Sequence, residues 1–276
     1  MNVKIEQDYS LTESQVQEFE QTGKLTFKLD ISDESLDQIV QAVDEHYEYD
    51  RSKPAHFGTR LQDGWHKVPG VFQLATHPQA LAALRQLFGR EPLPFQTLNF
   101  PIGTAQAVHS DTIHFNSIPS GFMAGVWVAL EDIDENNGPL IYYPGSHKLR
   151  ELSMQDLGLE PGYANYRFYE EAMQDVIVSE NLKPELGTMC KGSALIWHAN
   201  LMHGGAPHKD PSRSRHSQVT HYFFEDCRYY TPMNSSETRI QYREPEWIRE
   251  YDSTVPARPG LARRVLRRLK RLAGAS

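Results

Sequence analysis

The feature that most limits what this chain can fold into is a change of texture at residue 94. From there the sequence runs in short, alternating stretches rich in β-branched and aromatic residues, at 94–100, 105–111, 122–130, 139–143, 186–190, 194–198 and 217–224. Gly, Pro and Asn turns separate them. Each stretch has the period-2 pattern of a half-buried strand or the continuous apolar run of a fully buried one. Many short strands bury their apolar faces most economically by packing two layers together. The expected fold is therefore mainly β with flanking helices, a double-stranded β-helix of the jelly-roll, cupin-like barrel type.

The segment before residue 94 supplies the helices. Thr12 reads as the N-cap of a short helix that Gly23 ends, and residues 24–29 alternate as a strand. Ser32 caps an amphipathic helix with Leu36, Ile39, Val40, Val43 and Tyr47 on one stripe. A further helix spans about 77–88 and ends at Gly89. Residues 50–75 read as irregular; Arg51, Lys53, Arg60 and Lys67 there could recognise an anionic substrate group such as phosphate or carboxylate, but they are interspersed with Asp50 and Asp63, a pattern that favours a solvated loop. Residues 149–183 interrupt the strand series and read as an insertion over the barrel mouth, where a lid would sit. The expected organisation is one domain over 1–257, helical to about 93 and barrel over about 94–230, followed by a basic amphipathic tail at 258–276.

Charge and cysteine usage narrow the partners. The net charge of −8 hides a split, because residues 258–276 carry seven Arg or Lys and no acid, leaving 21 basic against 36 acidic residues elsewhere. An acidic body argues against nucleic acid. The tail places Leu261, Val265, Leu269 and Leu272 on one helical stripe, suited to contact with a subunit or an acidic surface. The chain has no apolar run of about 18 residues, and therefore no expected transmembrane segment. It has no apolar signal core in Met1–Ser10, and its two cysteines have no framework spacing. A reduced, cytoplasmic location is the simplest expectation.

Within the β region, His109-Ser110-Asp111 places an imidazole and a carboxylate two residues apart. On a strand they point to one face. The distant His203, in Leu201-Met202-His203-Gly204-Gly205, would complete a 2-His-1-carboxylate face with open positions opposite, an arrangement that suits non-haem Fe(II). His114, His198, His208 and His221 compete for such a role. On a continuing strand His114 would point away from the triplet's face; it reads as a pocket-lining or a structural histidine. His198 reads as packing or support for a ligand, and His208 as a loop residue. Trp127 and Trp197 read as core. Arg215 precedes the strand at 217–224, where a buried guanidinium needs an anion and its planar fork suits a carboxylate. Arg213, in the turn before it, reads as solvated.

With these residues in place, the chain resembles the phytanoyl-CoA dioxygenase family of Fe(II)/2-oxoglutarate oxygenases. The resemblance covers roughly residues 12–230 and adds Val126 to Asp132, Asn137-Gly138-Pro139-Leu140 and Pro144-Gly145-Ser146-His147 to the triplet, His203-Gly204-Gly205 and Arg215. It implies that His109, Asp111 and His203 bind Fe(II), and that Arg215 holds the distal carboxylate of 2-oxoglutarate. His221-Tyr222, six residues after Arg215, favours Arg215 over Arg213. Oxygen is the further co-substrate, and ascorbate a potential stimulant. The implied activity is hydroxylation, or another oxidation, of a small-molecule metabolite, with 2-oxoglutarate converted to succinate and CO2. Related halogenases lack the carboxylate; Asp111 favours hydroxylation. Gly205 departs from the family, which often carries Ser there. The alternative is a metal-binding, cupin-like sensor or binding protein without catalysis, which has no need of a buried arginine at 215.

Overall fold

The computed structural model describes residues 9–47 and 60–251. The chain opens with α1 (Glu13–Thr22), β1 (Lys24–Lys28) and α2 (Asp33–Asp44). Thr12 caps α1 in a capping box with Gln15, and Gly23 ends the helix in the left-handed region at φ 79°. Ser32 caps α2, whose buried face is Leu36, Ile39 and Val43. After β2 (Leu61–Gln62) come α3 (Pro69–Ala75) and α4 (Pro78–Phe88). The helix α3 was not expected, because residues 50–75 read as irregular; its Pro69 stands at the first helical position, where proline costs no hydrogen bond.

The strands that follow are β3 (Pro92–Phe100), β4 (Asn116–Ile118), β5 (Met123–Ala129) and β6 (Leu140–Tyr142). After α5 (Tyr166–Ser179) come β7 (Glu185–Gly187), β8 (Ser193–His198), β9 (His203–Gly205), β10 (Ser217–Phe224) and β11 (Arg228–Tyr230). The main sheet has the order β1-β8-β5-β10-β3-β2, every pair antiparallel. A small sheet, β7-β6-β9, faces it, and β11 pairs with β4. This is the jelly-roll-like, mainly β fold expected, except that among the described residues the two sheets do not close into a barrel.

Burial follows from the layering. Every residue of β5 and β10 is buried, because each strand is covered on both faces. On the outer face Val126, Val128, Ile196, Tyr222 and Phe224 pack under α1–α4 through Phe19, Leu36, Ile39 and Leu84. On the inner face Trp127, Leu195, Trp197 and Val219 meet Tyr142 and Leu201. Each fully buried apolar side chain contributes about 1.5–3 kcal/mol, so both layers are needed to hold the sheet.

Residues 149–183 contain α5, which the sequence did not signal. Its buried Tyr169 and Met173 pack with Met154 against Val108, Ile113 and Met202. The insertion thus braces the segments that carry His109 and His203. Arg51 and Lys53, and the basic tail, lie outside the described residues.

Candidate metal centre

His109 and His203 meet across the small sheet. Each donates its backbone N–H to the other's carbonyl at 2.9 Å, forming an isolated antiparallel bridge beside β9. A directly opposed pair presents both side chains on one face, and the two imidazole centroids lie 4.6 Å apart. Asp111 reaches the same point differently. The chain leaves the bridge after His109 and turns into a 3-10 helix over Asp111–Ile113, so the carboxylate does not lie on a continuing strand. The Ser110 hydroxyl donates to the Ala199 carbonyl at 3.0 Å and tethers this turn to the approach to β9.

The ligand atoms of His109, Asp111 and His203 all lie within 4.8 Å of one another, and all three residues are buried. Asp111 Oδ1 is 3.8 Å from His109 Nε2, and Oδ2 is 3.9 Å from His203 Nε2. Each imidazole donates its Nδ1–H to the carbonyl two residues before it: His109 to Ala107 and His203 to Leu201, both at 2.9 Å. That repeated contact fixes the tautomer and leaves both Nε2 lone pairs facing the carboxylate. Burial holds His109 neutral, pushing its pKa to about 3, with His203 beside it acting in the same direction. For Asp111 burial acts upward, but His203, His221, His109 and the Trp197 N–H outweigh it and bring the pKa to about 2. Two imidazoles presenting Nε2 and one carboxylate, held in place by the backbone, fit a divalent iron with positions left open.

Two further side chains support the carboxylate. Trp197 Nε1 donates to Asp111 Oδ2 at 2.8 Å, and His221 Nε2 lies 3.8 Å from the same oxygen. Trp197 reads as core in the sequence, and it is buried; its polar role follows from β8 turning its indole into the sheet gap. The indole covers Gly125, its partner on β5, so closely that a Cβ there would lie 2.2 Å from the ring. His221 is oriented by Gln96 Oε1 at 3.0 Å, next to a register shift between β10 and β3. His198 stacks on Phe88 instead. His208 accepts from the Gly103 N–H in a loop. The 3-10 turn brings His114 round to the site, its ring 6.1 Å from that of His109, where a straight strand would have pointed it away.

Arg215 is 3% exposed, and its Nη1 donates to Ser217 Oγ at 2.6 Å. Its guanidinium lies over the Phe100 and Trp127 rings, each at 5.5 Å. These rings sit opposite Ser217 and Val219 on β10, so the side chain runs along the strand towards His221. Val219 and His221 are two residues apart, roughly 7 Å along a strand. Nε of Arg215 is buried without a hydrogen-bond partner, and no carboxylate forms an ion pair with it among the described residues. Burial lowers its pKa to about 10, opposed by Glu131 and Tyr47, so it stays charged at neutral pH. Arg213, by contrast, pairs with Asp134 at 2.6 Å on the surface.

The phytanoyl-CoA dioxygenase (PhyH) family model matches residues 19–217, which include all four of these side chains. The chain belongs to the phytanoyl-CoA dioxygenase family. Human peroxisomal phytanoyl-CoA dioxygenase is 27% identical over 190 residues, covering 66% of this chain and 54% of the human protein. The chain thus spans about half the length of the curated relatives it matches. Its fold is shared with SnoK, a non-haem α-ketoglutarate-dependent carbocyclase from nogalamycin biosynthesis. That match has TM-score 0.66 and 19% identity, and covers 80% of this chain and 87% of SnoK. EctD from S. alaskensis with bound Fe matches at TM-score 0.63 and 18% identity, over 84% of this chain and 83% of EctD. Among the described residues no helix is long and apolar enough to cross a membrane.

The family's frequent Ser after His-Gly has no room in this member. A Cβ at Gly205 would lie 2.9 Å from the backbone nitrogens of Ala105 and Gln106. The 105–106 backbone, with Ala105 at φ 47°, crosses where that side chain would go.

Proposed function

We propose that this protein is a non-haem Fe(II)/2-oxoglutarate-dependent dioxygenase that hydroxylates, or otherwise oxidises, a small-molecule metabolite. The observation that carries the reading is the pairing of a buried His-Asp-His face with a buried arginine lacking an ionic partner. His109 Nε2, Asp111 and His203 Nε2 would hold the iron, and Arg215 would hold the distal carboxylate of 2-oxoglutarate. The iron and its co-substrate, when bound, supply oxygen activation coupled to decarboxylation to succinate and CO2.

The chain's own residues bind, orient and exclude water. The Nδ1–H contacts to Ala107 and Leu201 keep both imidazoles in the metal-binding tautomer. Trp197 holds Asp111 Oδ2 and keeps the carboxylate ionised. Phe100 and Trp127 flank Arg215, so an anion there meets a desolvated, preformed charge. The intact carboxylate of Asp111 favours hydroxylation over halogenation, because no ligand position is vacated for a halide.

The test is product formation. Purified full-length protein given Fe(II), 2-oxoglutarate and oxygen is expected to release succinate, even slowly without the metabolite. Asp111→Ala and Arg215→Gln should lose that release. Succinate formation that survives both substitutions would refute the assignment.

A further inference from the structure

Beside the metal centre is a second basic position that the reading above does not use. Arg243 follows β11, and its backbone N–H is bound to the Tyr229 carbonyl at 2.8 Å. Its guanidinium lies over the Phe115 ring at 4.7 Å. The Phe115 ring is 5.1 Å from that of His221, whose Nε2 is 3.8 Å from Asp111. Arg243 is therefore one aromatic ring away from the side chains that line the iron position.

Arg243 is poorly satisfied. Nη1 donates to Thr231 Oγ1 at 3.0 Å, whereas Nε is buried without a hydrogen-bond partner. Among the described residues no carboxylate forms an ion pair with it. Burial lowers its pKa, and Tyr163 is the one group that opposes this shift. Arg243 is half-buried, and its Nε–H is the part of the guanidinium cut off from water with its hydrogen bond unmade, which costs free energy.

Tyr163 acts on Arg60 as well as on Arg243, and both arginines act on His114. Burial, opposed by Asp111 and reinforced by the two arginines, lowers the His114 pKa to about 4, so that its imidazole is neutral. His114 Nε2 meets the Tyr166 hydroxyl at 3.1 Å, and its ring stacks against Tyr163 at 6.0 Å. Tyr163 is 62% exposed, which places this group at an opening to solvent. The charged and aromatic residues come from four segments outside the main sheet, those at 60, 114–115, 163–166 and 243.

We propose that Arg243 is a substrate-binding residue: it takes the oxyanion head group, carboxylate or phosphate, of a small substrate whose body lies against Phe115, His114 and Tyr163. The proposal rests on the dioxygenase reading only in that Phe115 and His114 connect Arg243 to the iron position. Binding of the head group itself needs no turnover. Nη2 of Arg243, with the second N–H of Nη1, offers a fork to two oxygens, as either oxyanion requires.

The experiment is calorimetric titration of the full-length protein loaded with Mn(II) and saturated with 2-oxoglutarate. The probes are phenyl phosphate, benzoate and the neutral benzyl alcohol. At least one of the two anions should bind the wild type, and benzyl alcohol should bind at least tenfold more weakly. Which anion binds better identifies the head group. Arg243→Gln should weaken the anion at least tenfold while leaving 2-oxoglutarate affinity within twofold, and Arg243→Lys should recover part of the loss. Arg215→Gln should do the reverse, weakening 2-oxoglutarate and sparing the probe when 2-oxoglutarate is raised to saturation.

Three results overturn the proposal: neither anion binds, the alcohol binds as well as the anions, or Arg243→Gln leaves anion affinity unchanged. Loss of 2-oxoglutarate binding in Arg243→Gln, but not in Arg215→Gln, overturns both this proposal and the role given to Arg215. Failure of Mn(II) to bind bears on the metal assignment alone; the same probes titrated into the metal-free protein then decide the proposal by the same criteria.

Discussion

Replacing Trp197 with Phe removes one hydrogen atom's worth of chemistry from the centre while keeping an aromatic ring in the sheet gap. The lost contact is the 2.8 Å bond from Nε1 to Asp111 Oδ2, between two buried groups. A hydrogen bond to a charged group contributes about 1.5–3 kcal/mol. If that energy is what keeps the carboxylate aimed at the metal, Fe(II) affinity should fall about 10- to 100-fold. The Asp111 pKa should also rise from about 2, since burial then meets less opposition. The smaller ring costs folding stability as well, on the order of 1–3 kcal/mol. Trp127→Phe is the control, because Trp127 is equally buried but its Nε1 has no hydrogen-bond partner. Anaerobic Fe(II) titration and thermal unfolding of both variants separate the effects. The reasoning is refuted if Trp197→Phe and Trp127→Phe lower Tm alike and both keep wild-type Fe(II) affinity.

Other substitutions probe the remaining supports. Arg215→Gln should weaken 2-oxoglutarate at least about 30-fold in a binding titration, and Arg215→Lys should not restore it, because an ammonium lacks the planar fork. Gly205→Ser should not install the family's hydroxyl; its Cβ meets the Ala105 and Gln106 backbone at 2.9 Å. The expected result is a lower Tm and weaker metal binding, as the segment carrying His109 is displaced. Acid should destabilise the metal-free protein from about pH 6.5 downwards. His114 and His198 have pKa values depressed to about 4, chiefly by burial, so the unfolded chain takes up their protons first. Stability is then complete above pH 6.5 and is lost as pH falls towards 4, at on the order of 3 kcal/mol per histidine. Chemical denaturation at pH 7.5 and pH 4.5 measures the difference.

That His109, Asp111 and His203 come together was more legible than the geometry by which they do so. The i, i+2 spacing of His109 and Asp111 presupposed one strand, whereas the backbone makes a bridge at His109 and a 3-10 turn at Asp111. Spacing along a chain registers which residues are close, but not a local change from extended to turning backbone. The same turn explains why His114 lies near the site. Caps were readable because they are local: Thr12, Ser32 and Gly23 satisfy helix-end groups within a few residues. The helix α5 was not, since its buried face is only Tyr169 and Met173 and its neighbours come from distant segments. Trp197 was hidden for a different reason. A tryptophan on an apolar strand has the same pattern whether its Nε1 is idle or bonded to a carboxylate, and only the packing of β8 against the Asp111 turn decides it. Arg215 was legible because a lone arginine entering a buried strand is costly without an anion; its unpartnered Nε is the structural counterpart of that cost.

The central claim is that one iron and one 2-oxoglutarate bind together between His109, Asp111, His203 and Arg215. Anaerobic addition of Fe(II) and 2-oxoglutarate to the full-length protein, followed by visible absorption, tests it most directly. The account predicts a charge-transfer band that saturates at one equivalent of each, is lost in Asp111→Ala, and needs far more 2-oxoglutarate in Arg215→Gln. No band in the wild type, with no succinate once oxygen is admitted, would contradict it.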